Sequence, residues 1–457
     1  MTLAFTALHG PSTPGPCPAR RADALAPMTS VKAPARAAGH DSRIMSEPFD
    51  VLVVGAGPAG LALACALADA GLSVRVLEQA ARTTLDNPAE DGREIALTHR
   101  ARAVMEKLGL WERIAADEIA PLREARVLDG DSPAALRFSS QGSGLEALGW
   151  LVPNHRIRDA ALRAAESRRG VEVLSEARVT ALSLGAGAAR LTLADGSTHA
   201  AKLIVAADSR FSQMRRLAGI GASLHDFARS VVVGRVAHEN DAGGIAWECF
   251  RYGNTLALLP MNGRITSAVV TMAGDRAAEW MALPDAEFAA RIEAQTDGRL
   301  GAVRAAGARH LYPLLGVYAQ RFVAPRFALI GDAAVGMHPV TAHGWNFGLY
   351  GVEVLAREVG AARSAGRDIG AVEVLARYEA EHRRTTLPVY LATNSLVSLF
   401  TDERALPKLA RRAVLDIAER VPPVSRVVKA LMKRQLTGGG GGFALPPLPR
   451  LPPPPWR

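Results

Sequence analysis

Three glycines near the start of the sequence have the spacing of a phosphate-binding turn. In the segment VVGAGPAG they are Gly55, Gly57 and Gly60, between an apolar run and a helical pattern. The first glycine permits a tight turn, the second lets the backbone approach a pyrophosphate, and the third allows the helix to pack closely on the strand. Pro58 and Ala59 stand at the helix start, where free N–H groups and the helix dipole favour phosphate. The segment predicts a dinucleotide site.

An acid follows at the distance expected of such a site. Glu78 ends the next apolar strand, about twenty residues on, where a carboxylate can accept hydrogen bonds from ribose hydroxyl groups. Another pair of glycines, Gly185 and Gly187, lacks the third glycine and lies between short strands, so a hairpin turn is expected there. The chain therefore shows one dinucleotide site, and this motif alone is compatible with either NAD or FAD.

A second specific turn stands far along the chain, in the segment ALIGDAAVGMHPVTAHGWNFGLYG. An apolar strand ends just before Asp332, and a glycine-containing loop then enters a helix with Gly344, Trp345 and Asn346 at its start. The positive end of that helix favours an anionic group nearby. We therefore expect this turn to lie beside the same cofactor as the first turn.

Two histidines and one arginine are further candidates for chemistry. His338 and His343 belong to the second turn, and histidine suits the role of a base near neutral pH. The alternative for each is a structural role, since the histidine of a His-Pro step often caps a turn. Arg93 lies in an acidic, glycine-containing loop from which it can reach a pyrophosphate or a ribityl oxygen, although an isolated arginine is more often a surface charge.

These residues need buried strands to position them. Residues 50–54 are an apolar run without alternation, 61–70 have helical periodicity and 73–77 form another strand, which predicts a βαβ unit. Between 230 and 272, short alternating strands indicate an antiparallel sheet. The parallel pattern returns at 327–330, and long helices follow. The predicted fold class is α/β, with a Rossmann-like domain interleaved with a mostly antiparallel β domain and C-terminal helices.

Charge and cysteine content narrow the classes of function. The 457 residues carry a net charge of +9, but two tails, 1–44 and 437–457, supply five of these charges. Between the two tails the sequence has no cluster of basic residues interleaved with aromatic ones, so nucleic acid is not an expected partner. Cys17, Cys65 and Cys249 match neither a disulfide framework nor a zinc site, and no metal is expected. No apolar run is long enough to span a bilayer.

Four further segments occur in the order and spacing of one protein family: DGREIALTHR, PNHRIRDAAL, AADSRFSQMRR and LIGDAAVGMHPVTAHGWNFGL. Together with the glycine turn, they resemble the single-component FAD-dependent aromatic hydroxylases. The resemblance is strongest to the branch of ubiquinone biosynthesis and, within it, to the demethoxyubiquinol 5-hydroxylase type. It covers residues 48–435. It implies the p-hydroxybenzoate hydroxylase fold, in which a glutathione-reductase-type FAD domain is interleaved with a sheet that covers the substrate.

The resemblance also implies which residues hold FAD. The ADP half would lie against the glycine turn and Glu78, Arg93 would reach FAD from the side, and Asp332 would bind the ribityl chain. Gly344 and Asn346 would lie against the pyrimidine edge of the flavin. Further contacts with the cofactor are expected from Arg158, Val179, Asp208, Arg215 and Trp345.

The expected organisation interleaves two domains. The FAD domain comprises residues 46–120, 155–225 and 308–365, the substrate domain 121–154 and 226–307, and the C-terminal helices 366–436. The first 45 residues are expected to be a disordered tail or a targeting segment, or to reflect a misassigned start. In the last case translation begins at Met45, because a strand follows this methionine almost immediately. The glycine- and proline-rich residues 437–457 are expected to be a flexible tail.

The chain departs from the family pattern at three positions. Ser209 replaces the glycine that usually follows Asp208, and a serine would be strained if this turn required a positive φ. Ala342 and His343 replace the first glycine and the glutamine of the usual His-Pro-x-x-Gly-Gln-Gly segment. Both of these changes lie next to the expected flavin edge.

The chemistry that the resemblance implies is ring hydroxylation. FAD would be reduced by NAD(P)H or another reductant and, with O2, would form a C4a-hydroperoxide that oxidises a polyprenylated phenol or quinol. Such a substrate lies in the bilayer. The basic and apolar segment 403–434 is expected either to bind the inner, cytoplasmic face of the cell membrane peripherally or to pack on the core as a solvated helix. Other ubiquinone-biosynthesis proteins are candidate partners in a complex.

Two alternatives stay open at this point. A hydroxylase of a small soluble aromatic acid would need a compact pocket with an arginine for the substrate carboxylate. A flavin-bearing but catalytically weak subunit of a biosynthetic assembly would be consistent with the changes at residues 342 and 343.

Overall fold

The structure is a computed structural model that describes residues 49–129, 135–142, 144–251, 254–338 and 344–401. The helices are α1 (Pro58–Asp69), α2 (Arg82–Asp86), α3 (His99–Lys107), α4 (Asn154–Glu166), α5 (Gln213–Leu217), α6 (Ala277–Ala282), α7 (Asp285–Gln295), α8 (Gly344–Ser364) and α9 (Val372–Thr401). Single turns of 3₁₀ helix are found at Trp111–Arg113, Ala116–Glu118, Gly274–Arg276 and Gly331–Ala333.

The first twelve strands belong to the part of the chain before α5. They are β1 (Val51–Val54), β2 (Val74–Leu77), β3 (Glu94–Leu97), β4 (Ala120–Leu122), β5 (Glu124–Asp129), β6 (Ala135–Ser139), β7 (Gly149–Pro153), β8 (Val171–Leu174), β9 (Val179–Leu184), β10 (Ala189–Leu193), β11 (Thr198–Ala201) and β12 (Leu203–Ala206). The later strands are β13 (Ala222–His238), β14 (Ile245–Arg251), β15 (Asn254–Pro260), β16 (Ile265–Ala273), β17 (Val303–Ala305), β18 (His310–Ala319), β19 (Val323–Ala324), β20 (Phe327–Leu329) and β21 (Val335–Gly336).

A mostly parallel sheet forms the first layer of the fold. Within the described ranges it has six strands, in the order β19-β20-β12-β1-β2-β8. β1 is paired in parallel with β12 on one side and β2 on the other, and all four of its residues are buried. This double burial explains the apolar run without alternation. The predicted βαβ unit is confirmed as β1, α1 and β2, and α1 packs against α4 and α8.

A larger sheet forms the second layer. Its nine described strands run in the order β21-β18-β13-β16-β15-β14-β5-β6, with β17 paired to β13. The predicted antiparallel texture is confirmed for β13 to β16, whereas β5 pairs with β14 in parallel. β18 also joins this sheet, although it comes from the stretch assigned to the FAD domain in the sequence. The domain limits themselves stay a prediction.

Two smaller predictions are also confirmed. Gly185 and Gly187 lie in the turn of an antiparallel hairpin between β9 and β10. Cys65 is fully buried on α1, and burial raises the pKa of its thiol to about 11, so it behaves as a small hydrophobic residue.

The C-terminal helices pack on the parallel sheet. Tyr378 of α9 donates a hydrogen bond to the Leu329 carbonyl at the end of β20, with 2.6 Å between the two oxygens. His382, one turn later, is 1% exposed and lies against α8 at Gly351, where an added Cβ would be 2.7 Å from the ring carbon Cε1. None of the described helices is long and apolar enough to cross a membrane.

The contact between Gly351 and His382 makes a prediction about stability. The substitution Gly351→Ala would place a methyl group too close to the buried imidazole ring of His382. Overpacking of this kind lowers the free energy of unfolding by about 1–3 kcal/mol. We expect the melting temperature of this variant to fall by several degrees, measured by differential scanning fluorimetry. The control is Gly187→Ala, because an added Cβ there meets nothing within 4 Å. A Gly351→Ala variant as stable as this control would contradict the packing described here.

Candidate active site

The predicted cofactor residues follow neighbouring parallel strands at the same edge of the sheet. Asp332 follows β20, Asp208 follows β12, Gly55 follows β1 and Glu78 follows β2. These four strands are adjacent in the sheet. In open α/β sheets, ligands bind at the carboxyl ends of the strands, so the topology brings residues from distant parts of the chain to one site.

The three glycines of the first turn have different surroundings. Gly55 has a φ of +108°, and an added Cβ would lie 2.5 Å from the Ala207 carbonyl oxygen. A Cβ on Gly60 would lie 2.0 Å from the Gly55 carbonyl oxygen. A Cβ on Gly57 would meet nothing within 4 Å. The protein itself therefore requires the first and third glycines, whereas the second faces an open space that a phosphate group can occupy.

Glu78 supports the same turn. Its carboxylate accepts hydrogen bonds from the backbone N–H groups of Ala56, at 2.8 Å, and Ala80, at 2.9 Å. The acid therefore fixes the position of the glycine turn from within the protein. The hydrogen bonds to a ribose stay a prediction.

The second turn packs directly on the first. A Cβ on Gly331 would lie 3.2 Å from the Cβ of Ala59, and Gly331 itself has a φ of +57°. A Cβ on Gly348 of α8 would lie 3.8 Å from the Gly331 Cα and 3.9 Å from the Ala59 Cβ. The glycine turn, the Asp332 turn and the start of α8 thus form one wall, as expected if both turns serve one ligand.

Trp345 and Asp208 each have a buried polar atom with no hydrogen-bond partner among the described residues. These atoms are the indole N–H of Trp345, in the first turn of α8, and the Oδ1 atom of Asp208. The other carboxylate oxygen of Asp208 accepts a hydrogen bond from the Met214 N–H at 3.1 Å. Buried polar groups are normally paired, so these two atoms, together with the open space at Gly57, fit a site built to hold a polar cofactor.

The comparison with known families decides which cofactor this is. The FAD binding domain family matches residues 48–389. The chain belongs to this family. FAD is therefore its cofactor. The glycine turn alone was compatible with NAD or FAD, and the family match decides for FAD. The expected α/β fold class is confirmed as well.

Full-length relatives and solved structures agree with this assignment. The ubiquinone hydroxylase UbiM of Neisseria meningitidis is 44% identical over 398 residues, which is 86% of this chain and 86% of that protein. The ubiquinone hydroxylase UbiL of Rhodospirillum rubrum is 39% identical over 378 residues, 83% of this chain and 88% of that protein. The crystal structure of p-nitrophenol 4-monooxygenase PnpA from Pseudomonas putida has the same fold, with a TM-score of 0.69 and 19% identity over 87% of this chain and 99% of that one. The predicted resemblance, and the assignment as a flavin-dependent monooxygenase, are confirmed.

Asp332 is held by an arginine that the sequence reasoning missed. Arg210 donates hydrogen bonds to the Asp332 carboxylate, with Nη2 at 3.0 Å, and to the Leu315 carbonyl at 3.1 Å. The resemblance implies a cofactor contact for the nearby Arg215, and this contact stays a prediction. Arg215 is buried and donates to the carbonyls of Ala333 and Arg210, at 2.8 and 3.1 Å, so it ties the second turn to the loop after β12. Both arginines lie in the motif AADSRFSQMRR, but the motif alone does not show which arginine pairs with Asp332.

Asn346 binds protein through its side-chain amide. Its Oδ1 atom accepts from the backbone N–H and the hydroxyl of Thr98, at 3.0 and 3.1 Å, and its Nδ2 atom donates to the Ala96 carbonyl at 2.8 Å. The start of α8, with Gly344 and Trp345, is therefore fixed to the end of β3. The contacts of these residues with the flavin edge stay a prediction.

Arg93, Arg158 and Val179 occupy different surroundings. Arg93 pairs with Asp91 at 2.6 Å, and its guanidinium lies 5.6 Å from the ring centre of Tyr312. Arg158 is half-buried on α4 and makes no ion pair with another described residue. Val179 is buried at the start of β9, and its carbonyl accepts a hydrogen bond from a side-chain amide at 3.3 Å. Their contacts with FAD stay predictions.

The turn after Asp208 does not carry the strain expected of a serine. Positive φ angles among the described non-glycine residues are found at Glu176, Ala228, Asp297 and Arg326, and Ser209 is not one of them. The replacement of the usual glycine by Ser209 is therefore accommodated without left-handed backbone.

Of the two candidate catalytic histidines, the structure describes His338. His343 lies outside the described residues. His338 is 5% exposed, and its ring meets that of Phe227 edge to face at 4.7 Å. Burial lowers the pKa of His338 to about 4, and the charges of Arg210 and His225 act in the same direction. His338 is therefore uncharged at neutral pH and less basic than the sequence hypothesis assumed; its catalytic role stays a prediction.

The larger sheet lies over the loop that carries Arg93. Tyr312 of β18 donates a hydrogen bond to the Asp91 carbonyl at 2.6 Å. Arg235 of β13 pairs with Glu94 at 2.8 Å and with Glu90 at 2.6 Å. Burial raises the pKa of Glu94 to about 7, although Arg235 opposes the shift. These contacts fix the sheet to the cofactor side of the molecule.

The open space at Gly57 gives a direct test of FAD binding. The substitution Gly57→Val places a side chain where the protein has no atoms, so the apoprotein should fold with an unchanged melting temperature. The same side chain should block the close approach of the pyrophosphate. We expect the FAD released per mole of purified protein, measured by absorbance at 450 nm, to fall by at least tenfold. Normal FAD content in Gly57→Val would mean that the phosphates lie elsewhere.

Proposed function

We propose that this flavin-dependent monooxygenase hydroxylates the aromatic ring of a polyprenylated phenol or quinol precursor of ubiquinone. The observation that carries the proposal is the 44% identity, over 86% of both chains, to a ubiquinone hydroxylase. The enzyme uses O2 and a reduced nicotinamide as co-substrates. FAD, when bound, supplies the activated oxygen that is transferred to the ring.

The residues of this chain would position FAD. The glycine turn leaves room for the pyrophosphate at Gly57, and the buried Trp345 N–H offers a hydrogen bond beside the start of α8. The N-terminus of this 21-residue helix favours negative charge, which a reduced flavin carries. Arg210 neutralises Asp332, so that the carboxylate is fixed as a hydrogen-bond acceptor.

A deletion strain tests the proposal in the cell. We expect a strain that lacks this gene to accumulate a prenylated phenol with one hydroxyl group too few, and to lose ubiquinone, measured by mass spectrometry of lipid extracts. Wild-type protein should restore ubiquinone, whereas Gly57→Val should not. The position of the missing hydroxyl identifies the carbon that the enzyme oxidises.

A negative result would be equally informative. Normal ubiquinone in a deletion strain with no redundant hydroxylase would contradict the proposal and direct attention to small aromatic acids. If ubiquinone is lost but a Gly57→Val protein that contains no FAD restores it, the protein would act as a partner in a biosynthetic complex without needing FAD.

We also propose that the enzyme binds the cytoplasmic membrane surface peripherally, because its substrate is a bilayer lipid. Segment 403–434, which lies outside the described residues, alternates basic and apolar side chains in the sequence. Each basic residue near an anionic membrane contributes about 1 kcal/mol. A three-residue cluster in this segment is Lys408, Arg411 and Arg412.

Reversal of this cluster tests membrane binding. The variant Lys408→Glu/Arg411→Glu/Arg412→Glu should co-sediment at least tenfold more weakly with vesicles containing 30% phosphatidylglycerol, because three attractions of about 1 kcal/mol are lost. The matched control reverses three exposed arginines of the folded body, Arg169, Arg178 and Arg190, with the same change in net charge. Equal losses in both variants would mean that only the total charge matters.

A further inference from the structure

The larger sheet has two faces with different coverings. Cys249 of β14 and Val270 of β16 point to one face and pack with Trp280 of α6 and Phe288 of α7 in an apolar cluster. The opposite face carries Tyr312 and the other side chains that meet the loop at residues 90–94. We call this second face the inner face.

Glu248 stands on the inner face among apolar cross-strand neighbours. The residues directly paired across the strands form a row in which Glu248 of β14 is flanked by valines and an alanine. From β13 to β5 this row consists of Val233, Val269, Ala257, Glu248 and Val127. Val233 and Val269 belong to one apolar cluster and Val127 to another, so Glu248 lies between two apolar patches.

The carboxyl group has no partner in the described part of the protein. Its side chain makes no hydrogen bond and no ion pair with a described residue, and burial alone raises the pKa of Glu248 to about 7. The side chain is nevertheless only half-buried, so part of its surface borders open space. A desolvated acid without a partner is costly, and such acids concentrate at functional sites.

The chemistry of the inner face selects a particular kind of ligand. Apolar side chains on both sides suit an aromatic ring with alkyl substituents, while the Glu248 carboxyl group suits a hydroxyl group that donates to it. A carboxylate-bearing aromatic acid would instead be repelled by Glu248. The face therefore fits a phenol or quinol better than the small aromatic acid of the alternative reading.

Resting on the function proposed above, we propose that the Glu248 carboxylate accepts a hydrogen bond from a ring hydroxyl group of the substrate and so sets which carbon of the ring faces the flavin. In the transfer step a new C–O bond forms at a ring carbon, the O–O bond of the activated oxygen breaks, and the hydroxyl proton passes to this carboxylate. The ring loses two electrons, and the second oxygen atom leaves as water after reduction by two electrons from the reduced nicotinamide. Glu248 is thus a substrate-binding residue that also holds a proton.

A pair of ligands that differ only in hydrogen-bond donation tests the assignment. The probes are 2-prenylphenol and its methyl ether, titrated into the FAD-loaded full-length enzyme by calorimetry. A hydrogen bond to a charged group favours binding by roughly tenfold or more. We expect the wild-type enzyme to bind the phenol at least tenfold more tightly than the ether.

Two substitutions then separate recognition from structure. In Glu248→Met the new side chain is close in size to glutamate, but its sulfur accepts hydrogen bonds only weakly. This variant should bind both probes equally, with the affinity for the ether unchanged. Glu248→Gln keeps the shape, so it should lose several-fold of the preference even if the methionine variant fails to retain FAD. The control Glu373→Gln removes an exposed acid at the start of α9 and should behave as the wild type.

The outcomes distinguish the two proposals. A wild-type preference for the phenol that persists in Glu248→Met and Glu248→Gln overturns the role of Glu248 and leaves the proposed function intact. If the wild-type holoenzyme binds neither probe, the proposed function fails and the assignment of Glu248 fails with it. Loss of the preference in both variants supports both.

Discussion

At the carboxyl edge of the parallel sheet, backbone segments approach one another more closely than a Cβ atom would allow. Gly60 meets the Gly55 carbonyl, Gly55 meets Ala207, and Gly331 meets the side chain of Ala59. Every other feature of the cofactor site is arranged around these approaches. They let three loops, each from a different strand, share one small volume, and they leave open space at Gly57.

The acidic side chains around that volume have partners within the protein. Glu78 binds backbone N–H groups and Asp332 binds Arg210, so two acids near an expected polyanion are each satisfied by the protein. The acid on the inner face of the larger sheet is different, because Glu248 has apolar neighbours in place of a cation. That contrast is why we assign Glu248 to the substrate.

The sequence predicted local structure well wherever burial leaves a local pattern. The sequence of β1 is an apolar run because both faces of this strand are covered. The hairpin near Gly185 is recognisable as a turn between two strands with alternating residues. The sequence could not predict that β5 pairs in parallel with β14, or that β18 joins the larger sheet. Those pairings join residues far apart in the chain, and periodicity within a strand carries no information about its partner.

The same limit applied to the candidate site. The glycines and acids at strand ends were found because a motif places them there. Arg210 was missed because its motif holds several arginines, and only the fold decides that this one meets Asp332. Glu248 was missed because an acid on an alternating strand is expected to face solvent. Its apolar surroundings become visible only when the cross-strand neighbours from β5 and β15 are known.

The contact of Gly348 with Ala59 has a consequence for how the protein is made. The two residues are almost 290 positions apart, so the wall of the FAD site is incomplete until α8 has been synthesised. Chains fold from the N-terminus during synthesis. The FAD site can therefore be completed only after the last third of the chain has begun to emerge. Loading of FAD becomes a late step, and since a ligand stabilises only the state that binds it, truncated chains and flavin-starved cells are expected to lose this protein to proteolysis.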